Sequence, residues 1–145
     1  MHIGPVTLRP RFNDAVDERQ TTEELAAWTV ASAAALVVPG VASLTYFEEW
    51  GPRGIRSSSG EPFPPAHALR AVHALTGGRL LAGDSPDGLV WAIGSQVGDA
   101  TGPDRITTVL VANIDHRERA LTIETAGGAA SVVLPPLSWT ELTPD

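Results

Sequence analysis

The chain has 145 residues, 43% of them hydrophobic, a formal net charge of −7 and no cysteine. That length and apolar share suffice for one packed core, and no apolar run reaches membrane-spanning length. The acidic balance, with no gathered Lys and Arg face, argues against a nucleic-acid partner, and the missing cysteines exclude disulfides, thiol nucleophiles and Cys-ligated metals.

Met1 is followed by HIGPVTLRP, which has neither a basic n-region nor an apolar h-region. The expectation is a cytoplasmic protein without a signal peptide. VTLRPRF (6–12) reads as a strand, with Pro10 confined to its end. Thr21 and Glu24 offer a capping box, and an Ala-rich helix is expected over 25–38, stopped by Pro39-Gly40. Trp28 falls on the apolar stripe of that helix with Leu25 and Ser32, a core position. VASLTYF (41–47) reads as a second strand. Pro64-Pro65 opens a second helix over 66–76, with Leu69, Val72 and Leu75 on one stripe and Gly77 as its cap. Strand, helix, strand, helix is the pattern of a parallel sheet, and VASLTYF lacks clean alternation, as strands buried on both faces do.

The grammar changes near Gly77-Gly78. RLLAG, GLVWAIGS, RITTVLVANI, RALTIE, ASVVLP and LSWTEL are short β-rich runs separated by turn signals. They predict an antiparallel sandwich of about six strands. The expected fold is therefore the last two β/α units of a (β/α)8 barrel over 1–78, followed by an all-β sandwich over 79–145 that folds independently. Two parallel strands do not form a stable sheet alone, so the first half is expected to be incomplete.

In such a barrel the chemistry sits at the C-terminal ends of the strands. Thr7, Arg9 and Arg11 share one face of the first expected strand, where two guanidiniums either hold an anionic or polar substrate or brace the barrel through carboxylates. The second strand ends in TYFEEWGPRGI (45–55), which places Glu48 and Glu49 on opposite faces. Polar Ser43 and Thr45 mark the barrel-facing side, so parity favours Glu49 unless a bulge at the strand end reverses it. The loop that follows carries Arg53, Arg56 and Glu61 among Gly, Ser and Pro, a composition common to functional loops. Trp91 and Trp139 lie within β runs, where core packing is commoner than a sugar-stacking platform. His2, His67, His73 and His116 are scattered without metal-site spacing, and no metal or cofactor is expected. His67 and His73 are expected on the exposed or half-buried side of the second helix.

PVTLRPRFN (5–13), DERQ with AAW (17–20 and 26–28) and GVASLTYFEEWGPRGI (40–55) resemble the C-terminal third of the D-apionate lactonase family. That family consists of sugar-acid lactone hydrolases with a glycosidase-like barrel and a β-sandwich. The likeness in order, spacing and residue type runs over about residues 5–81. It implies a catalytic role for Glu48 rather than Glu49, and substrate contacts for Arg9, Arg11, Tyr46 and Arg53. One departure is Pro52, where relatives carry an aromatic after the glycine; here Trp50 precedes Gly51 instead.

The resemblance implies the C-terminal part of a carbohydrate-catabolic hydrolase acting on a sugar-acid lactone, with its small-molecule substrate and the N-terminal barrel portion of a parent protein as partners. A glycoside hydrolase of the same architecture, using two carboxylates, is the alternative within enzymes. A non-catalytic carbohydrate-binding sandwich is the alternative outside them, and exposed coplanar Trp side chains would mark it.

Overall fold

The computed structural model describes residues 1–10, 15–99, 102 and 105–144. Strands β1 (His2–Val6) and β2 (Ser43–Tyr46) pair in parallel. Between them come a 3-10 turn at Glu18–Thr21 and helix α1 (Glu23–Leu36), and helix α2 (Pro64–Ala74) follows β2. The strand–helix–strand–helix order expected from the sequence is present.

The first strand, however, lies earlier than the expected 6–12. Its register runs His2↔Ser43 and Ile3↔Leu44, breaks, and resumes at Val6↔Tyr46. The break falls where Pro5 has no N–H for the ladder. Beyond Val6 the Thr7 hydroxyl donates to the Arg9 carbonyl at 2.6 Å, and this local bond replaces strand pairing. Thr7 and Arg9 therefore do not share a strand face. Arg11 and Phe12 lie outside the described residues.

The helix cap is also displaced by one residue. Thr21 belongs to the 3-10 turn, so extended Thr22 becomes the N-cap, its hydroxyl accepting from the Leu25 N–H at 3.4 Å. In α1, Leu25, Ala26, Ala27, Thr29, Val30, Ala31, Ala33 and Ala34 are all buried. Such a helix is covered on more than one side, and its alanines permit close approach of both neighbours. Trp28, expected in the core, is 43% exposed. The indole is too large for the alanine-lined contacts and sits on the remaining open side. His67 and His73 are exposed on α2, as expected.

All six β-rich runs form strands. β3 (Arg79–Asp84), β4 (Val90–Val97), β5 (Ile106–Asn113) and β8 (Ser138–Leu142) make an antiparallel sheet in the order β3-β4-β5-β8. β6 (Arg119–Thr125) and β7 (Gly128–Leu134) form a separate hairpin. The registers Ala92↔Val111 and Val109↔Leu142 put Val90, Ala92, Val109, Val111 and Leu142 on one face of the sheet. That face packs on Leu121, Ile123, Val132 and Leu134 of the hairpin. On the opposite face Trp91, Ile93, Leu110, Ala112 and Trp139 pack against Ala26, Val30, Ala33 and other residues of α1. The result is three layers: helices, sheet and hairpin. No helix among the described residues is long and apolar enough to cross a membrane.

The helix layer and the sheet thus share one core across Gly77-Gly78. This weighs against independent folding of residues 79–145. Expressed alone, that segment would expose the Ile93, Leu110 and Ala112 face. We expect it to bind a hydrophobic dye or aggregate, whereas the whole chain gives a cooperative melt. Limited proteolysis of the whole chain should protect a fragment that includes α1. A soluble, cooperatively melting 79–145 fragment would contradict the shared core.

Candidate functional site

The loop after β2 departs from strand geometry at one residue. Phe47 has φ 42°, a left-handed backbone that costs a bulky residue about 1–3 kcal/mol and clusters at functional positions. Its N–H donates to the Val6 carbonyl at 3.3 Å, so the kink sits against the end of β1. Because of it, strand parity no longer governs Glu48 and Glu49. Up to Tyr46 parity holds: Leu44 and Tyr46 pack toward the helix-side core, while Ser43 and Thr45 are exposed on the other face.

After the kink the chain closes on itself. The Glu48 N–H donates to the Arg53 carbonyl at 3.1 Å, the Ile55 N–H to the Glu48 carbonyl at 3.1 Å, and the Arg56 N–H to the Glu49 carbonyl at 3.1 Å. Gly54 is required here, since a Cβ would lie 2.6 Å from the backbone carbon of Trp50. This closure sets two ion pairs side by side. Arg53 reaches Glu48 Oε1 with both Nε and a terminal nitrogen at 2.9 Å, and Arg56 Nε lies 3.3 Å from Glu49. The Glu48 side chain is 47% exposed and that of Glu49 is 61% exposed. A carboxylate and a guanidinium are therefore presented together at a strand end, with solvent access.

The 3-10 turn braces this loop from below. Gln20 is buried, and its side-chain amide donates to the carbonyls of Arg53 at 3.2 Å and Gly54 at 3.3 Å. Buried Asp17 caps the same turn, accepting from the Arg19 backbone N–H at 3.1 Å and from its guanidinium at 2.9 and 3.0 Å. Arg9 adds a contact at 3.3 Å. The Arg19 hydrogen bonds hold the Asp17 carboxyl well below the usual carboxylate range, against the opposing effect of burial. Next to the loop a concavity of about 450 Å³ is lined by Asp17, Gln20, Trp50, Arg56, Ser57 and Phe63. Trp50 is half exposed there.

The expected site residues are distributed as follows. Glu48 and Arg53 come together. Arg9 takes up the bracing role on Asp17, and Arg11 lies outside the described residues. Tyr46 turns to α1, where its hydroxyl is 2.9 Å from Ser32 Oγ and burial pushes the phenol pKa up from its usual value. It lines a second concavity of about 330 Å³ with Thr7, Trp28 and Phe47. Trp91 and Trp139 pack against the helix-side core, so they do not form an exposed coplanar platform. Reading by strand ends alone passes over Asp17 and Gln20. The available signal was DERQ itself, an acid and an amide in the first turn before an alanine helix.

A parallel β/α segment with an acid–base pair at a strand end is the kind of site that barrel hydrolases use. Residues 11–77 match the family model of the D-apionate lactonase TIM barrel domain. The match takes in Asp17, Gln20, Tyr46, Glu48 and Arg53, leaves out β1 and Arg9, and stops at the Gly77-Gly78 junction. No curated protein matches the chain.

The Asp17 pairing makes a pH prediction. A carboxyl whose folded value is depressed contributes stability above its unfolded value near 4 and loses it as pH falls toward the folded value. Asp17→Asn should therefore destabilise the chain by about 1–2 kcal/mol at pH 7, and the gap from the parent should narrow as pH is lowered below 4. Chemical denaturation of both proteins from pH 7 to 3 measures this. A gap that stays constant with pH would mean the ion pairs contribute nothing.

Proposed function

We propose that this chain is the C-terminal part of a hydrolase acting on a sugar-acid lactone. The observation that carries the reading is the Glu48–Arg53 pair, held at the kinked end of a parallel strand inside the segment that matches the lactonase barrel. Glu48 takes a proton from the attacking water as general base. The new C–O bond forms at the lactone carbonyl, and Arg53 stabilises the oxyanion. Collapse of the tetrahedral intermediate breaks the ring C–O bond, and the leaving alkoxide recovers the proton from Glu48. The product is an open-chain hydroxy acid.

The barrel would be completed by further β/α units from outside these residues. The β1–β2 pair supports this, since parallel strands normally have both faces covered. Here the face bearing Gly4, Ser43 and Thr45 is exposed. Trp28 is open to solvent on the flank of α1 where a neighbouring unit would pack. In this reading the 145-residue chain alone leaves sugar lactones at their uncatalysed rate.

The test is mutational, in a protein that joins this segment to a whole barrel. Glu48→Gln should lower kcat by about 10²–10⁴-fold with little change in melting temperature. Glu49→Gln should leave kcat near the parent value, because its partner Arg56 also donates to the Gly60 carbonyl and keeps the loop closed. Near-normal kcat for Glu48→Gln would remove Glu48 from the chemistry. Hydrolysis well above the buffer rate by the 145-residue chain would sink the requirement for a completed barrel.

A further inference from the structure

The two antiparallel layers are unequal. Four strands lie in one and two in the other, so the hairpin covers only part of the sheet. Over the uncovered part runs a cleft of about 610 Å³. Its floor is the hairpin-facing side of β3 and β4, with Leu81, Gly83, Ala92 and Gly94. Its wall is β6, and every residue from 120 to 125 contributes. A strand seen face-on offers alternate residues only, whereas a strand seen edge-on offers all of them. The wall is therefore the edge of β6 that no described strand covers, its other edge being taken by β7.

An open edge presents unpaired backbone N–H and C=O groups, and the chain that satisfies them is another strand. The floor specifies that strand's side chains. Gly83 is exposed with nothing within 4 Å of a Cβ placed there, and Ala92 and Leu81 are only partly covered, which leaves depth for large apolar residues. Among the described residues no aromatic ring lines the cleft, which disfavours a sugar as occupant. At one end Arg79 is exposed and forms no ion pair with the described residues, beside its cross-strand neighbour Gln96.

We propose that this cleft is a docking site for an extended polypeptide strand of about six residues, which pairs with the free edge of β6 as a third strand of the hairpin layer. Large apolar side chains at alternate positions point onto Leu81, Gly83 and Ala92, the intervening polar ones face solvent, and a carboxylate at one end meets Arg79. The strand comes from a polypeptide segment outside this chain, not from a second copy. Charge decides the source. A chain of net charge −7 repels its own copy, whereas a short segment with one carboxylate opposite Arg79 does not. The docking is independent of the hydrolase reading and stands or falls apart from it.

The experiment titrates the isotopically labelled chain with a blocked peptide of about seven residues, alternating leucine and threonine and ending in glutamate. Amide shifts should move along β6 and the β3–β4 floor, and alternate amides among residues 120–125 should gain at least about tenfold protection from exchange. Gly83→Phe should abolish binding while the chain stays folded, since a Cβ at Gly83 meets no atom within 4 Å. Arg79→Ala should weaken binding several-fold. A peptide of the same composition with its leucines clustered should not bind. Shifts elsewhere, equal binding of the clustered peptide, or unaltered binding to folded Gly83→Phe would each overturn the proposal. Concentration-dependent dimerisation through β6 without peptide would overturn the choice of occupant.

Discussion

Burial of strand β5 on both faces is the constraint on which the rest of the structure depends. Val109 and Val111 point to the hairpin, while Leu110 and Ala112 point to α1, and all four are nearly inaccessible. One strand therefore couples a helix before the glycine junction to a hairpin after it. Each fully buried aliphatic side chain contributes about 1.5–3 kcal/mol of transfer free energy, so alternate residues of this strand stabilise two interfaces at once. Asn113 ends it, fully buried, its side-chain amide donating to the carbonyls of Arg117, Leu134 and Pro135. Those bonds fix where the chain leaves β5 and where β7 hands over to β8.

The strand pattern was legible because turn residues carry local information. Each of the six β-rich runs became a strand within a few residues of its expected bounds, and Gly77, with φ 90°, sits just past α2 as a helix-ending glycine should. The layering was not legible. RITTVLVANI lacks alternation, which is equally consistent with a strand in a parallel sheet and with one sandwiched between a hairpin and a helix. Only the tertiary partner decides, and that partner is α1, about 70 residues earlier in the chain. The same limit explains Trp28. Helical spacing placed it with Leu25, but spacing cannot register that alanine contacts on two sides leave no room for an indole.

The site was partly legible for a related reason. Residue types and their order pointed to Glu48 and Arg53, and those two side chains do meet. Parity could not decide between Glu48 and Glu49, because it assumes an extended chain and Phe47 is left-handed. Nothing about phenylalanine announces that conformation. It is imposed by the bond to Val6 and by closure of the loop behind it. Asp17 and Gln20 escaped the strand-end argument since neither lies at a strand end. Both act through a turn that only the folded chain brings under the loop.

The ion pairing at this loop bears on what a lactone hydrolase must discriminate. Its substrate is neutral at the reacting carbonyl and its product is an anion. A guanidinium without a partner would grip the product carboxylate more strongly than the substrate, which slows release. Arg53 already shares its charge with Glu48 across two contacts of 2.9 Å. A neutral carbonyl beside the pair meets little net charge, whereas a second carboxylate meets the repulsion of the first. In the proposed reaction the balance shifts during turnover. Once Glu48 has taken the proton it is neutral and no longer offsets the Arg53 charge that faces the oxyanion as that species forms. When the proton leaves with the alkoxide, the Glu48 carboxylate returns and competes with the product for the same arginine. One ion pair can thus favour the transition state over both the substrate and the product, which is the differential binding that catalysis requires.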